Sequence, residues 1–340
     1  MAKTVISKNR RIILRAVLLC SAALALLFAA MGLIDHWQQN EYQEQRDDTN
    51  DAFMTSNLVT WEGEEYKQTP SVTTLLIAGI DQEANDQQGV GTSRYRNGGQ
   101  ADFLLLLGID HTYKKIHQLQ IDRDTMTAVT VLSVFGKETG ERVMQICLAH
   151  SYGGNKEENA RYTVRAVRKL MNNIDIDGYY MIDYSAVSAF NTALGGVTVT
   201  IPDDMTSVNP LWSAGSTVTL QGGEAETFVR TRKTVGEGTN AERMVRQSEF
   251  MTKALSQMRE RLANDASFAN ELVTTLQEKS VTNLTDLQLA AEIQHLDEYE
   301  VLPIAYLEGE YTIGSSGYME FYPTENSAES WIMQHLYTKL

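Results

Sequence analysis

Two sets of charged residues in this 340-residue chain have types and spacings that can do chemistry. In the first, Asp81 follows the run Leu75-Leu76-Ile77-Ala78-Gly79, Asp102 opens the next apolar run, and Arg123-Asp124 stands just beyond a third. Strand ends that each present a carboxylate or a guanidinium can share one sheet edge, where open sheets place their sites. Two converging carboxylates there, Asp81 and Asp102, would make a hard-cation site, and Mg²⁺ is the usual choice when phosphate oxygens complete the shell. Taken singly, each aspartate also reads as a turn or cap residue. The second set is basic: Arg230-Thr231-Arg232-Lys233, then Arg243, Arg246 and Gln247. Residues 243, 246 and 247 share one helical face near a helix N-terminus, which itself attracts anions. Guanidiniums converging there suit phosphate or pyrophosphate. The same spacing also fits a solvated basic face.

Other chemistries find no support. His36, His111, His117, His150, His295 and His335 lack metal-ligand spacing. There is no serine elbow, no Walker loop and no GxGxxG after the first strand. Cys20 and Cys147 are too few for a disulfide framework.

The elements that must hold these residues follow from periodicity. Short apolar or alternating runs at 73–78, 103–109 and 116–121 predict strands, the first two buried on both faces. The polar, Gly-rich stretch 82–100 between them is too long for a tight hairpin and is a candidate functional loop. Helical spacing appears at 163–171, 184–194, 224–229, 240–262, 268–277, 286–296 and 328–336, with further strands at 197–201 and 301–306. The Met and Leu stripe of 240–262 reads as core. Strands and helices intermix, so an α/β or α+β sandwich is expected, with helices on both faces of a central sheet.

From position 12 to 34 only Arg15 is charged, long enough for a membrane-spanning helix. Lys3, Lys8, Arg10 and Arg11 precede it, which keeps the N-terminus cytoplasmic and the remainder outside. The expected organisation is a cytoplasmic segment 1–11, an anchor 12–34, an acidic extracellular stalk 35–70 and a folded domain 71–340. The whole chain carries −15, and the exported part, with 24 basic against 44 acidic residues, carries −20. That balance excludes a general nucleic-acid binder. Residues 230–246 nevertheless hold five basic residues against Glu237 and Glu242, a local +3.

In their order and spacing these residues resemble the LytR-CpsA-Psr family of bacterial cell-envelope proteins. The resemblance spans 72–262 and rests on Leu75 to Asp81, Ala101-Asp102-Phe103, Gln120-Ile121-Asp122-Arg123-Asp124-Thr125, Ser151-Tyr152-Gly153-Gly154, Ala193 to Val197, Phe228-Val229-Arg230 with Arg232, and Arg243 with Arg246-Gln247. It implies a single α/β/α sandwich with a central mixed sheet and a hydrophobic cleft for a lipid. The activity it implies is a membrane-anchored phosphotransferase that moves a glycopolymer, a teichoic acid or capsular-type polysaccharide, from a polyprenyl-pyrophosphate carrier to peptidoglycan. By the same resemblance Asp81 and Asp102 would bind Mg²⁺, and Arg123, Arg230, Arg232, Arg243 and Gln247 would hold the pyrophosphate. Asp102 or Asp124 would orient or deprotonate the acceptor hydroxyl. Three positions depart from the family pattern: Gln100 stands where an Arg is usual, Asp122 where a Pro is common, and Asn240 where an acid usually precedes the helix Arg. Two other readings stand beside the transferase: a lipid-binding envelope scaffold without turnover, and a pyrophosphatase acting on the carrier.

Overall fold

The structure is a computed structural model that describes residues 58–81, 98–133, 138–265 and 267–340. The expected anchor, most of the stalk, and positions 82–97 of the polar loop lie outside the described residues. Among those described, no helix is long and apolar enough to cross a membrane. The chain divides at Val59/Thr60, and the unit Thr60–Leu340 carries every residue of the two charged sets.

That unit starts earlier than the stalk expected up to position 70. Strands β1 (Leu58–Trp61) and β2 (Glu64–Gln68) flank a turn at Glu62-Gly63, both in left-handed backbone. The acidic composition hides β2 because its partner is remote: it pairs antiparallel with β15 (Tyr337–Lys339) at the other end of the chain.

The centre is a six-stranded mixed sheet in the order β11 (Ser280–Thr282), β8 (Gly178–Asp183), β3 (Val72–Asp81), β4 (Gln100–Asp110), β5 (Lys115–Ile121), β12 (Glu300–Tyr306). The β3–β8 and β5–β12 pairs are parallel and the others antiparallel. β4 is buried along almost its whole length, as its unbroken apolar run predicts. β3 differs from expectation: Thr73, Leu75, Ile77 and Gly79 are only half-buried, so the sheet is less fully covered on that face. Hairpin β6 (Met126–Leu132) with β7 (Glu138–Gln145), strands β9 (Thr198–Thr200) and β10 (Thr217–Thr219), and hairpin β13 (Gly309–Ile313) with β14 (Met319–Pro323) lie outside this sheet.

The helices follow the periodic segments closely: α1 (Lys156–Leu170), α2 (Ser185–Ala193), α3 (Glu224–Arg230), α4 (Asn240–Asn264), α5 (Phe268–Leu276), α6 (Asp286–Gln294) and α7 (Ser327–His335). α4 starts where it does because Thr239 caps it: its hydroxyl accepts from Glu242 N, and the Glu242 carboxylate accepts from Thr239 N, a reciprocal capping box. Arg243 is thereby fixed in the first turn. Phe228 in α3 is fully buried and meets Trp212 edge to face at 5.9 Å. Truncating such a side chain costs about 3–5 kcal/mol, and it anchors the end of α3 that carries Arg230.

Candidate active site

The strand register decides what meets at the sheet edge. Asp81 lies opposite Gln100 in the antiparallel β3–β4 pair, and Leu104 lies opposite Ile121 in the antiparallel β4–β5 pair. The end of β3, the start of β4 and the end of β5 therefore adjoin, and the antiparallel order itself puts Asp81, Asp102 and Arg123 at one edge. A register shift pairs Gly79 with Phe103 but Ile80 with Ala101, leaving Asp102 as the extra residue of a β-bulge. Bulges re-aim side chains in this way beside functional sites.

Asp102 is 6 % exposed, and both its oxygens are taken by guanidiniums. Arg123 Nη1 donates to Oδ1, and Arg243 Nη1 donates to Oδ2 at 2.9 Å. Arg123 Nη2 donates to Gln100 Oε1 at 2.5 Å and to Cys147 Sγ at 3.3 Å, so Gln100 serves as a neutral acceptor for this arginine. Arg230 comes from the last turn of α3, donates to Asp81 Oδ1 at 2.8 Å and lies 5.8 Å from the Tyr184 ring centre. Arg232 is different. It is half-buried, and among the described residues no carboxylate or carbonyl accepts a hydrogen bond from it. Burial, with repulsion from Arg243 and Arg123, lowers its pKa.

The remaining expected residues divide. Asp124 is 4 % exposed; burial raises its pKa, partly opposed by Arg123. Its Oδ1 accepts from Gln145 Nε2 at 3.2 Å and lies 3.4 Å from Arg123 Nε, whereas Oδ2 accepts nothing among the described residues. Gln247 is buried, and its amide is committed: Nε2 donates to Tyr184 OH at 3.1 Å and Oε1 accepts from Gln120 Nε2 at 3.2 Å. Arg246, on the same helical face by spacing, is fully buried and donates to Asp203 Oδ2 at 2.9 Å and to the Thr231 carbonyl, bracing the Arg230–Arg232 segment.

Cys147, Gln145, Tyr184 and Gln120 also contribute to the site. Gln120 is marked only as the first residue of the Gln120–Thr125 run, and nothing in the spacing of the other three marks them, because packing recruits them from separate segments. Asp122 did carry a signal, as an acid directly before Arg123-Asp124.

The arrangement could receive an anion. The Nε groups of Arg243 and Arg246 are buried with no hydrogen-bond partner among the described residues, whereas that of Arg123 lies 3.4 Å from Asp124 Oδ1; unsatisfied buried N–H groups are uncommon in folded proteins. Guanidiniums from the end of β5, the end of α3 and the first turn of α4 converge with Arg232, the geometry that grips phosphate oxygens. A divalent cation is compatible with the same residues. Asp81 and Asp102 are hard oxygen donors, and the guanidiniums now paired to them are groups a phosphate would claim, freeing carboxylate oxygens for Mg²⁺.

Comparison with known proteins gives a consistent picture. Residues 33–331 match the model of the LytR_cpsA_psr family. A protein of Halalkalibacterium halodurans named as a polyisoprenyl-teichoic acid–peptidoglycan teichoic acid transferase, TagU, is 26% identical over 164 residues, which is 48% of this chain. The match spans about half of that relative's length, 46%. Among solved structures, B. subtilis TagV is 22% identical with a TM-score of 0.59, covering 79% of this chain and 98% of that one. The gbs0355 protein of Streptococcus agalactiae is 19% identical with a TM-score of 0.62, covering 78% and 88%. TagT bound to LI-WTA, a protein also solved from B. subtilis, is 19% identical with a TM-score of 0.58, covering 78% and 91%. At these identities the structures show a shared fold.

Proposed function

The chain belongs to the LytR_cpsA_psr family, and from that premise we propose that it is a cell-envelope phosphotransferase, moving a glycopolymer from a polyprenyl-pyrophosphate carrier to peptidoglycan. The observation that carries this reading is the surplus of guanidinium N–H groups at the sheet edge, with Arg232 unpaired among the described residues and Arg243 Nε without a hydrogen-bond partner there. The polymer would be a teichoic acid or a capsular-type polysaccharide, and residues 12–34 would hold the protein in the membrane with the folded unit outside.

Arg123, Arg230, Arg232 and Arg243 bind the pyrophosphate oxygens and stabilise the charge that develops on them, the main means of catalysing phosphoryl transfer. Gln247 contributes by holding Tyr184 beneath Arg230. Asp81 and Asp102 would hold Mg²⁺, which supplies further neutralisation of phosphate charge. The acceptor sugar hydroxyl forms a bond to the sugar-side phosphorus. The bond from that phosphorus to the bridging oxygen breaks, and polyprenyl phosphate leaves with the electron pair. Asp124 takes the hydroxyl proton: its Oδ2 is free among the described residues and its pKa is raised, whereas Asp102 is held by arginines in the empty protein and would be taken by Mg²⁺ in the loaded one.

The test is a transfer assay with full-length protein, a polyprenyl-pyrophosphate-linked glycopolymer and peptidoglycan. Polyprenyl phosphate should appear only when acceptor is present, and Asp124→Asn should slow transfer by about 10²–10⁴ without weakening carrier binding. Phosphate release without acceptor, or carrier binding with no transfer to any peptidoglycan, overturns it.

A further inference from the structure

Asp122 is a carboxylate only 4 % exposed, and the chemistry above does not use it. Among the described residues no cation pairs with it. Its charge is met instead by neutral donors: Asp124 N at 2.8 Å and Asn240 Nδ2 at 2.7 Å to Oδ1, and the Tyr311 hydroxyl at 2.6 Å to Oδ2. A buried charge held this way is costly unless every donor stays in place.

Asn240 turns that carboxylate toward the site. Its Oδ1 accepts from Arg243 Nη2 at 2.6 Å while its Nδ2 faces Asp122. An amide has one donor end and one acceptor end, so a carboxylate on one side and a guanidinium on the other permit a single orientation. Arg243 then reaches Asp102 through Nη1. An unbroken line of hydrogen bonds thus joins Tyr311, Asp122, Asn240, Arg243, Asp102 and Arg123.

Tyr311 comes from hairpin β13–β14, which supplies none of the arginines. The hairpin is tied to the site at further points. Phe321 N donates to Asp124 O at 2.9 Å, and Gln145 Nε2 donates to both Met319 O, at 2.6 Å, and Asp124 Oδ1, at 3.2 Å. Tyr311 is 47 % exposed, but desolvation of its hydroxyl and the Asp122 carboxylate both raise its pKa, so the phenol remains a donor at physiological pH. The Tyr311 ring packs on Phe321 with centroids 4.8 Å apart, a contact that a phenylalanine would keep.

We propose that Tyr311 is a positioning residue of the anion site, its hydroxyl fixing the plane of the Arg243 guanidinium through Asp122 and Asn240. The inference deepens the transferase reading, because it rests on that reading for the identity of the anion. When an anion competes for Arg243 Nη1, the Asn240 contact is what prevents the guanidinium from following it. Hairpin β13–β14 is therefore part of the site's framework.

The test is pyrophosphate affinity in full-length variants, measured by calorimetry with inorganic pyrophosphate and geranylgeranyl pyrophosphate. Tyr311→Phe should weaken both about tenfold, the value of one hydrogen bond to a charged group, with unchanged circular dichroism. Asn240→Asp sets two carboxylates against each other and Asp122→Asn removes the charge, so each alone should lose about tenfold or more. A purely structural role would leave affinity unchanged in a folded Tyr311→Phe protein, and that result overturns the proposal. Absence of pyrophosphate binding in the parent removes the transferase reading instead. The relay is then read from the Arg243 Nε–Hε resonance: a shift in Tyr311→Phe supports it, and an unmoved resonance overturns it.

Discussion

Arg232 separates binding from folding more cleanly than any other residue at the site. Among the described residues it has no ion-pair or hydrogen-bond partner, it is half-buried, and Arg243 and Arg123 repel it. Arg232→Gln therefore removes a charge whose repulsion from Arg243 and Arg123 outweighs its attraction to Asp124 and Asp102, and stability should stay within about 0.5 kcal/mol or rise. The same substitution deletes a guanidinium contact to phosphate worth about 1.5–3 kcal/mol, which is about 10–150-fold in Kd. Arg243→Gln is the contrast. It abandons the Asp102 and Asn240 contacts in a position 4 % exposed, and breaking a buried pair of this kind costs about 3–5 kcal/mol of stability. The assay is calorimetry with geranylgeranyl pyrophosphate alongside thermal unfolding of the same samples. If Arg232→Gln binds within twofold of the parent, or unfolds as readily as Arg243→Gln, the assignment of Arg232 as the spare anion ligand is refuted.

Further outcomes are expected. His150 is 5 % exposed beside Thr163, and burial pushes its pKa down to about 4. The unfolded chain, titrating near 6.5, binds the proton first, so stability is complete above about pH 6.5 and falls by about 3 kcal/mol as pH drops to 4. Thermal unfolding between pH 4 and 8 measures it, and His150→Asn should flatten the slope; an unaltered slope would assign the acid lability to other groups. Gly99 has φ +76°, and a Cβ there would sit 2.6 Å from the Asp81 carbonyl, so Gly99→Ala should destabilise by about 2 kcal/mol and weaken pyrophosphate binding through Asp81 and Arg230. Unchanged unfolding and affinity would show that the turn relaxes. Cys147 is fully buried against Arg123, and burial pushes its thiol up to about 12. Peptide mapping after alkylation should find Cys147 unmodified until the protein unfolds; rapid labelling in the native state would mean that the pocket opens.

The helices and the strands β3, β4, β5, β9 and β12 were legible because their signals are local, whereas β8 and β11 of the central sheet and the hairpins β6–β7 and β13–β14 were not. The apolar run of β4 and the 3.6-residue spacing of α4 each lie within one segment, and Thr239 and Glu242 cap α4 three residues apart. The site residues were legible as types and in order, since acids at strand ends and arginines on a helical face are patterns of short range. β2 has no such local signal, because its partner β15 lies at the far end of the chain.

What the sequence determined alone is the set of charges available at the sheet edge and the elements that carry them. Their division of labour was decided only by the tertiary structure. Arg243 and Arg246 are indistinguishable by spacing, yet one joins Asp102 while the other is spent on Asp203 and the Thr231 carbonyl. Asp122 and Asn240, two separate departures when read along the chain, are hydrogen-bonded to each other across 118 positions, and Tyr311 joins them from 189 positions away. The physical reason is that a buried charge is fixed by whichever donors surround it, and packing brings those donors together from segments with no local signal in common.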